Sequence, residues 1–186
     1  GSDAEVTVAA LACLQLAGET GSDMKSRYDD RLGGIVAWAE GDPDRIRALV
    51  SSPHPDAYLS THDVEAAWSP SYPLPNSVGE HRQVAASIQN TIFLRPGQST
   101  KIAYGVCFSP DGPRELARCC RAVADHEKLL SRTIAHYKQV IGSADVMTPD
   151  PLINQGVQWS KANMLRVLAN YPTGVAFTND PGLSSH

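Results

Sequence analysis

The hydrophobic pattern of this chain of 186 residues changes its period close to Pro110. Before that residue, apolar side chains alternate with polar or small ones in short segments, which is typical of β-strands. After it, apolar side chains return every three or four positions, which is typical of α-helices. This order predicts an α+β fold in which an antiparallel β-sandwich is followed by a long linker helix and a second helix. The first predicted strands are residues 5–16, 34–39 and 46–51.

A Pro-Gly dipeptide separates two further predicted strands, residues 84–94 and 100–108. The sequence around it reads LRPGQST, and proline followed by glycine favours a turn. Because two alternating segments on either side of a short turn often pair with each other, we expect a β-hairpin here. The proline-rich residues 69–81 are expected to form a loop, since proline cannot donate a hydrogen bond within a central strand.

Helix signals follow Pro110 directly. Asp111 or Gly112 can cap a helix, and Pro113 suits its first position, where the backbone N–H needs no partner. The apolar stripe then steps by four and three residues, with one acidic interruption, until a Gly-Ser pair ends it. We therefore expect one long linker helix, whose stripe comprises Leu116, Cys120, Val123, Glu127, Leu130, Ile134, Tyr137 and Ile141.

A second helix is predicted at residues 151–170, with Asp150 as its N-cap and Pro151 at its first position. One stripe of this helix is apolar and is expected to be core material: Ile153, Val157, Met164, Leu168 and Tyr171. The neighbouring stripe mixes an aromatic ring with amides and a cation: Gly156, Trp159, Asn163, Arg166 and Asn170. We therefore expect a binding surface, if this helix has one, on the second stripe.

Composition excludes several classes of function. The chain is 42% hydrophobic and 19% charged with a net charge of -4, which argues against a nucleic-acid partner. No apolar run is long enough to span a membrane. The apolar residues 6–17 follow acids instead of the basic segment of a signal peptide, so no signal peptide is visible. We expect a cytoplasmic protein without a membrane partner.

The four cysteines and six histidines do not have the spacing of a metal site. We expect Cys13, Cys107, Cys119 and Cys120 to be small buried hydrophobic residues in a reducing compartment. A zinc site and a disulfide framework are both disfavoured by this spacing. We predict neither a metal nor a cofactor.

Two stretches lie on either side of the predicted linker helix: FLRPGQSTKIAYGVCFS at residues 93–109 and DPLINQGVQWSKANMLRVLANYPTGVAFTNDPG at residues 150–182. In this order they resemble the N-terminal half of the six-hairpin glycosidases, which include bacterial enzymes similar to glycogen-debranching amylo-alpha-1,6-glucosidases. In that family a β-supersandwich precedes a linker helix and an (α/α)6 toroid, whose inner rim holds the sugar site. The resemblance covers essentially the whole chain, and its distinctive part is residues 93–182.

The resemblance implies three regions: a β-sandwich at residues 1–110, the linker helix at 111–148, and the first helix and loop of an incomplete (α/α)6 domain at 149–186. It also implies that the two catalytic acids of an inverting glycoside hydrolase lie on later toroid helices. The chain is then an inactive N-terminal fragment of an enzyme for α-glucoside-type oligosaccharides or polysaccharides. Its partners are the sugar and the remainder of the catalytic domain. The alternative is a self-contained carbohydrate-binding or interaction module.

Five residues are candidates for contact with a sugar: Trp159, Asn163, Arg166, Asn179 and Asp180. An indole ring packs on the apolar face of a pyranose while amides and cations bind its hydroxyls, although Trp159 also suits a core. The resemblance places the loop of Asp180 at the rim of the site, and an Asx turn is its structural alternative. Trp38 and Trp68 lie in the sandwich region and are expected to pack in its core.

The acids within the chain have no predicted catalytic role. A glycosidase needs two facing acids, about 5 to 9.5 Å apart, with one pKa raised by burial. The acids lie in loop-like or sheet-edge segments, where Asp63 and Glu65, two positions apart, could share a face. We nevertheless expect solvated surface carboxylates in all three acidic groups: Asp29 with Asp30, His62 with Asp63 and Glu65, and Glu80 with His81.

Overall fold

The computed structural model describes residues 2–15, 23–68, 72–79, 83–144, 146–171 and 174–177. The chain divides into two compact units, Gly1–His126 and Glu127–His186. In the described part of the first unit, the strands are β1 (Ala4–Cys13), β2 (Met24–Asp29), β3 (Gly34–Ala39), β4 (Asp42–Ser52), β5 (Ala57–Thr61), β6 (Ala85–Leu94) and β7 (Ala103–Ser109). Its helices are α1 (Val64–Trp68) and α2 (Pro113–Ala124).

The strands of the first unit form two antiparallel sheets. One sheet has three strands in the order β1-β6-β5, and the other has four in the order β2-β3-β4-β7. The two sheets pack face to face, which confirms the predicted α+β fold with its β-sandwich. Strands β1, β3, β4, β6 and β7 correspond to predicted segments, whereas β2, β5 and α1 were not predicted from the hydrophobic pattern.

Two apolar cores form on the two faces of the four-stranded sheet. Its inner face packs on the three-stranded sheet through a cluster that includes Leu14, Met24, Ile35, Leu49 and Ile88. Its outer face packs on α2 through Val36, Ile46, Ala48, Val50, Cys107, Leu116 and Cys120. Because β3 and much of β4 are covered on both faces, both strands contain consecutive buried residues instead of a strict alternation of buried and exposed ones.

Polar and aromatic contacts close both open sides of the sandwich. On one side, Tyr28 of β2 stacks on Tyr58 of β5 with ring centroids 4.0 Å apart, and the hydroxyls of Ser26 and Ser60 share a hydrogen bond of 2.8 Å. On the other side, the hydroxyl of Tyr104 donates to the carbonyl of Val8 at 3.2 Å. These contacts join the edge strands of one sheet to those of the other.

The predicted hairpin around LRPGQST is wrong. Strand β6 pairs with β1 and β5, whereas β7 pairs with β4 in the other sheet. Since both edges of β6 are already occupied, it has no free edge to offer to β7. The turn itself forms, with the N–H of Gln98 donating to the carbonyl of Arg95 at 2.9 Å. The segment between β6 and β7 therefore crosses from one sheet to the other.

The predicted linker helix is two helices. Helix α2 ends at Ala124, and α3 (His126–Gly142) begins after Asp125, whose backbone leaves the helical region at φ -92° and ψ 30°. Aspartate is a weak helix former, and the apolar stripe is interrupted at Glu127 close by. Pro113 does occupy the first turn of α2, and α3 ends at the predicted Gly142.

The described part of the second unit contains α3, α4 (Pro151–Arg166), β8 (Leu168–Tyr171) and β9 (Gly174–Phe177). The predicted cap is confirmed, since the carboxylate of Asp150 accepts the N–H of Leu152 at 2.8 Å. Helix α4 stops before the predicted residue 170 because the chain turns extended and β8 pairs with β9. Part of the segment predicted as a loop is therefore a small antiparallel ribbon.

Candidate functional site

One face of α4 carries the site residues that the sequence predicts for this helix. Trp159, Asn163 and Arg166 follow each other at steps of four and three residues, which places them on one side of a helix. The same spacing extends toward the N-terminus through Gly156 to Leu152. We call these five residues the tryptophan face of α4.

The tryptophan face is open to solvent. The side chain of Trp159 is 62% exposed, and Leu152 is exposed as well. Among the described residues, no atom outside the local helix backbone and the chain neighbours lies within 4 Å of the position that a Cβ would take at Gly156, so the face is open at this position. Asn163 is half-buried and Arg166 is exposed. The indole ring can therefore receive a flat ligand.

The side chains of the tryptophan face combine three kinds of contact. The indole ring of Trp159 offers a large apolar plane and an N–H donor at its edge. The amide of Asn163 donates and accepts hydrogen bonds, and the guanidinium of Arg166 donates in a planar fork. An apolar plane beside such donors and acceptors suits the ring face and hydroxyls of a sugar.

Local hydrogen bonds fix the N-terminal end of α4. The amide oxygen of Asn154 accepts the N–H of Thr148 at 2.8 Å, and the amide nitrogen of Asn154 donates to the carbonyl of Thr148 at 2.9 Å. Farther along the helix, Nζ of Lys161 donates to the carbonyl of Ile141 at 2.8 Å. The bond from Lys161 joins α4 to the end of α3 within the second unit.

The opposite side of α4 is apolar and also exposed. Ile153, Met164 and Leu168 are exposed, so the prediction that this stripe is core material is wrong for the described structure. In the described residues, this apolar stripe of α4 borders a groove. The groove has a volume of about 210 Å³ and is lined by Val140, Ser143, Lys161, Met164, Leu165, Leu168 and Phe177.

The structure brings together three of the five predicted site residues. Trp159, Asn163 and Arg166 share the tryptophan face, whereas the predicted Asn179 and Asp180 lie outside the described residues. Leu152 belongs to the same face and was not among the predicted site residues. The step of three and four residues back from Trp159 is the signal that identifies it.

The candidate acids in the described part of the chain have local structural roles. The carboxylate of Asp63 accepts the N–H groups of Glu65 and Ala66 at 2.9 and 3.0 Å, so it caps α1. Asp63 and Glu65 therefore do not share the face of a strand, since Glu65 lies in the first turn of α1. Asp29 accepts the N–H groups of Arg31 and Leu32 in the turn after β2. Glu80 and His81 lie outside the described residues.

The two tryptophans of the sandwich have different environments. Trp38 is half-buried against the core beneath α2, and the guanidinium carbon of Arg27 lies 5.7 Å from its ring centroid. Trp68 is 77% exposed, so the prediction that it packs in the core is wrong. It ends the short helix α1, which instead buries Ala67.

The cysteines are only partly the buried residues that the sequence predicts. Cys107 and Cys120 are buried, Cys119 is half-buried and Cys13 is exposed, and all four are free thiols. Among the described residues, no group of three or more His, Cys, Asp or Glu side chains is arranged to hold a metal ion. A helix with the length and apolar character of a membrane span is likewise absent from the part of the chain that the structure describes.

Comparison with known proteins adds no relative. No protein-family model matches the chain, and no curated protein matches it.

Proposed function

We propose that this chain forms the N-terminal β-sandwich, the helical connection and the first toroid helix of a glycoside hydrolase acting on α-glucoside-type oligosaccharides or polysaccharides. The observation that carries the proposal is the apolar surface of the second unit. Among the residues of α3 and α4 that the structure describes, none is buried. Helix α2, by contrast, buries Leu116 and Cys120 against the four-stranded sheet.

The apolar surface of the second unit consists of exposed side chains on both helices and on the ribbon: Leu130, Ile134, Ile153, Met164, Leu168, Val175 and Phe177. Exposed apolar surface on this scale marks a region that another element covers. In an (α/α)6 toroid each helix packs against neighbouring helices, so the remaining toroid helices would supply that cover. Such packing leaves one side of α4 for the sugar site.

The tryptophan face is the side of α4 that we assign to substrate. It places the plane of Trp159 next to the donors of Asn163 and Arg166, the combination that binds a pyranose ring and its hydroxyls. Its open surface at Gly156 leaves room for the sugar. We therefore assign the tryptophan face to the rim of the active site.

Catalysis is assigned to residues outside this chain. Inverting hydrolysis needs one acid to protonate the leaving oxygen and one carboxylate to activate water, across the scissile bond. Asp29 and Asp63 accept backbone N–H groups in a turn and a helix cap, which are structural roles. We expect no glycoside hydrolysis by residues 1–186 alone. The four free thiols agree with a cytoplasmic enzyme as part of this proposal.

Binding of a dye that fluoresces on apolar surfaces tests whether the second unit, without the remaining toroid helices, exposes its apolar surface. The isolated chain is expected to enhance the fluorescence of 1-anilinonaphthalene-8-sulfonate, and the double variant Ile153→Gln with Met164→Gln is expected to reduce that enhancement. Phe93→Gln is the matched control, since Phe93 is an exposed apolar residue of the sandwich. A monodisperse monomer that does not enhance the dye's fluorescence would argue against the proposal.

A carbohydrate-binding module is the second candidate function, and the exposure of Trp68 on the sandwich favours it. Titration of the chain with maltoheptaose, followed by tryptophan fluorescence, separates the two functions. Saturable binding that survives Trp159→Ala but is lost in Trp68→Ala would identify a module in the sandwich. Weak binding that is lost in Trp159→Ala is the result expected from our proposal.

A further inference from the structure

Cys107 and Cys120 meet in the core between the four-stranded sheet and α2. Cys107 lies on β7, an edge strand of that sheet, and Cys120 lies on the buried side of α2. Both side chains are buried in the same apolar cluster, on a helix and a strand that pack against each other. Two residues that are 13 positions apart in the sequence are thus neighbours in the fold.

Close packing of α2 on β7 brings the two thiols together. A Cβ at Gly105 of β7 would overlap Cγ2 of Val123 on α2, so a larger residue would force the helix or the valine side chain to move. Leu116 and Ala48 belong to the same cluster and hold the helix on the sheet. A disulfide requires two cysteines whose Cα atoms lie within about 7 Å of each other, and the close approach of α2 to β7 favours that spacing.

The interaction between the two thiols lowers the pKa of Cys107, against the opposing effect of burial. The same interaction, together with burial, raises the pKa of Cys120. Because the thiolate is the nucleophile in thiol chemistry, we assign the first reaction with an oxidant to Cys107.

We propose that Cys107 and Cys120 form a redox modification site, in which hydrogen peroxide converts the two thiols into a disulfide that cross-links α2 to β7. The Cys107 thiolate attacks one peroxide oxygen, the O–O bond breaks, and the other oxygen leaves as water after taking up a proton. The Cys120 sulfur then attacks the sulfenic sulfur of Cys107 and forms the S–S bond. The sulfenic oxygen leaves as a second water with the proton of Cys120, so the thiols lose two electrons and the peroxide gains them.

The cross-link restrains the helix that ends the first unit. It closes a short loop through the β7–α2 connection, and a closed loop lowers the entropy of the unfolded chain. The oxidised protein is therefore expected to have a higher Tm than the reduced protein, and dithiothreitol is expected to reverse the difference. This site is independent of the proposed glycosidase function.

Peptide mapping of the whole chain tests the site. The reduced protein is treated with a small molar excess of hydrogen peroxide, its free thiols are alkylated with iodoacetamide, and it is digested with trypsin. Trypsin places Cys107 in residues 102–114 and both Cys119 and Cys120 in residues 119–121. The expected product is residues 102–114 linked to residues 119–121, and it disappears on reduction.

Serine variants assign the sulfur atoms. The linked peptide is expected in wild type, Cys13→Ser and Cys119→Ser, and absent from Cys120→Ser. Retention of the link in Cys120→Ser would assign the bond to Cys119 and overturn the proposal. Oxidation of Cys13 without any linked peptide would overturn it as well. Because Cys119→Ser alters a half-buried position and keeps both thiols of the site, its digest decides the question even where Cys120→Ser does not fold.

Discussion

At the scale of single residues, Gly105 allows α2 to lie close to β7. A Cβ at this position would overlap Cγ2 of Val123. Gly105→Ala is therefore expected to lower the free energy of unfolding by about 1 to 3 kcal/mol, because the helix or the side chain must move. Urea unfolding followed by circular dichroism measures the loss.

Val123→Ala provides the control for this contact, since it removes the methyl group that the new Cβ would meet. In the Val123→Ala background, the cost of Gly105→Ala is expected to fall by about 1 kcal/mol. Equal costs in both backgrounds would show that the overlap with Val123 does not determine the spacing of α2 and β7.

Tyr104 makes stability depend on pH in the alkaline range. Burial, and then the charge of Asp56, raise its pKa above the ordinary tyrosine value of about 10. The folded state thus keeps the phenol proton at a pH where the unfolded state loses it. Its contribution to stability is complete below pH 10 and is lost as the pH rises through the folded pKa.

Tyr104→Phe tests this dependence. It removes the hydrogen bond to Val8, so the free energy of unfolding at neutral pH is expected to fall by about 1 kcal/mol. Above pH 10 its stability is expected to fall less steeply than that of wild type. Urea unfolding between pH 8 and about 11 measures both effects. Tyr72→Phe, at an exposed tyrosine, is expected to leave the neutral value unchanged, and a wild-type slope in Tyr104→Phe would contradict the prediction.

The environment of single residues was the least predictable property of this sequence. Trp38, Trp68 and Trp159 are the same residue type, yet only Trp38 packs against a core cluster in the described structure. Burial depends on which distant segments reach a side chain, and a local pattern does not contain that information. The spacing of Trp159, Asn163 and Arg166 was predictable because a helix fixes it locally.

At the scale of elements, α2 and α3 have similar amphipathic stripes but different surroundings. Leu116 of α2 is 1% exposed, and Leu130 of α3 is 60% exposed. Leu116→Ala is expected to cost about 3 kcal/mol of unfolding free energy because it leaves a cavity under α2. Leu130→Ala, the same substitution on the exposed surface, is expected to cost less than about 0.5 kcal/mol. Equal losses in urea unfolding would contradict the difference in burial.

The elements with local signals were predicted better than their pairing. Pro113 and Asp150 mark the starts of α2 and α4, since capping chemistry depends on adjacent residues. The turn after β6 was also predicted, but the hairpin was wrong because both edges of β6 are filled by β1 and β5. Strand pairing is settled by competition among distant segments, which no single turn reveals.

At the scale of the whole molecule, the chain consists of a unit with two cores and a unit whose described helices have no buried residue. The change of hydrophobic period predicted the order of these parts, since it reflects local geometry. It did not predict that the apolar stripe of α4 would be exposed. An amphipathic stripe shows which side of a helix is apolar. It does not show which other element packs against that side.

The most direct test of the proposed function is the kcat/KM for maltoheptaose hydrolysis by the product of the full reading frame that contains residues 1–186. We expect glucose release with inversion at the anomeric carbon, followed by polarimetry. We expect a loss of about tenfold in kcat/KM for Trp159→Ala, equivalent to about 1.4 kcal/mol of transition-state binding. Trp68→Ala is expected to retain the wild-type value. No hydrolysis of α-glucosides by the wild-type product would contradict the proposed function.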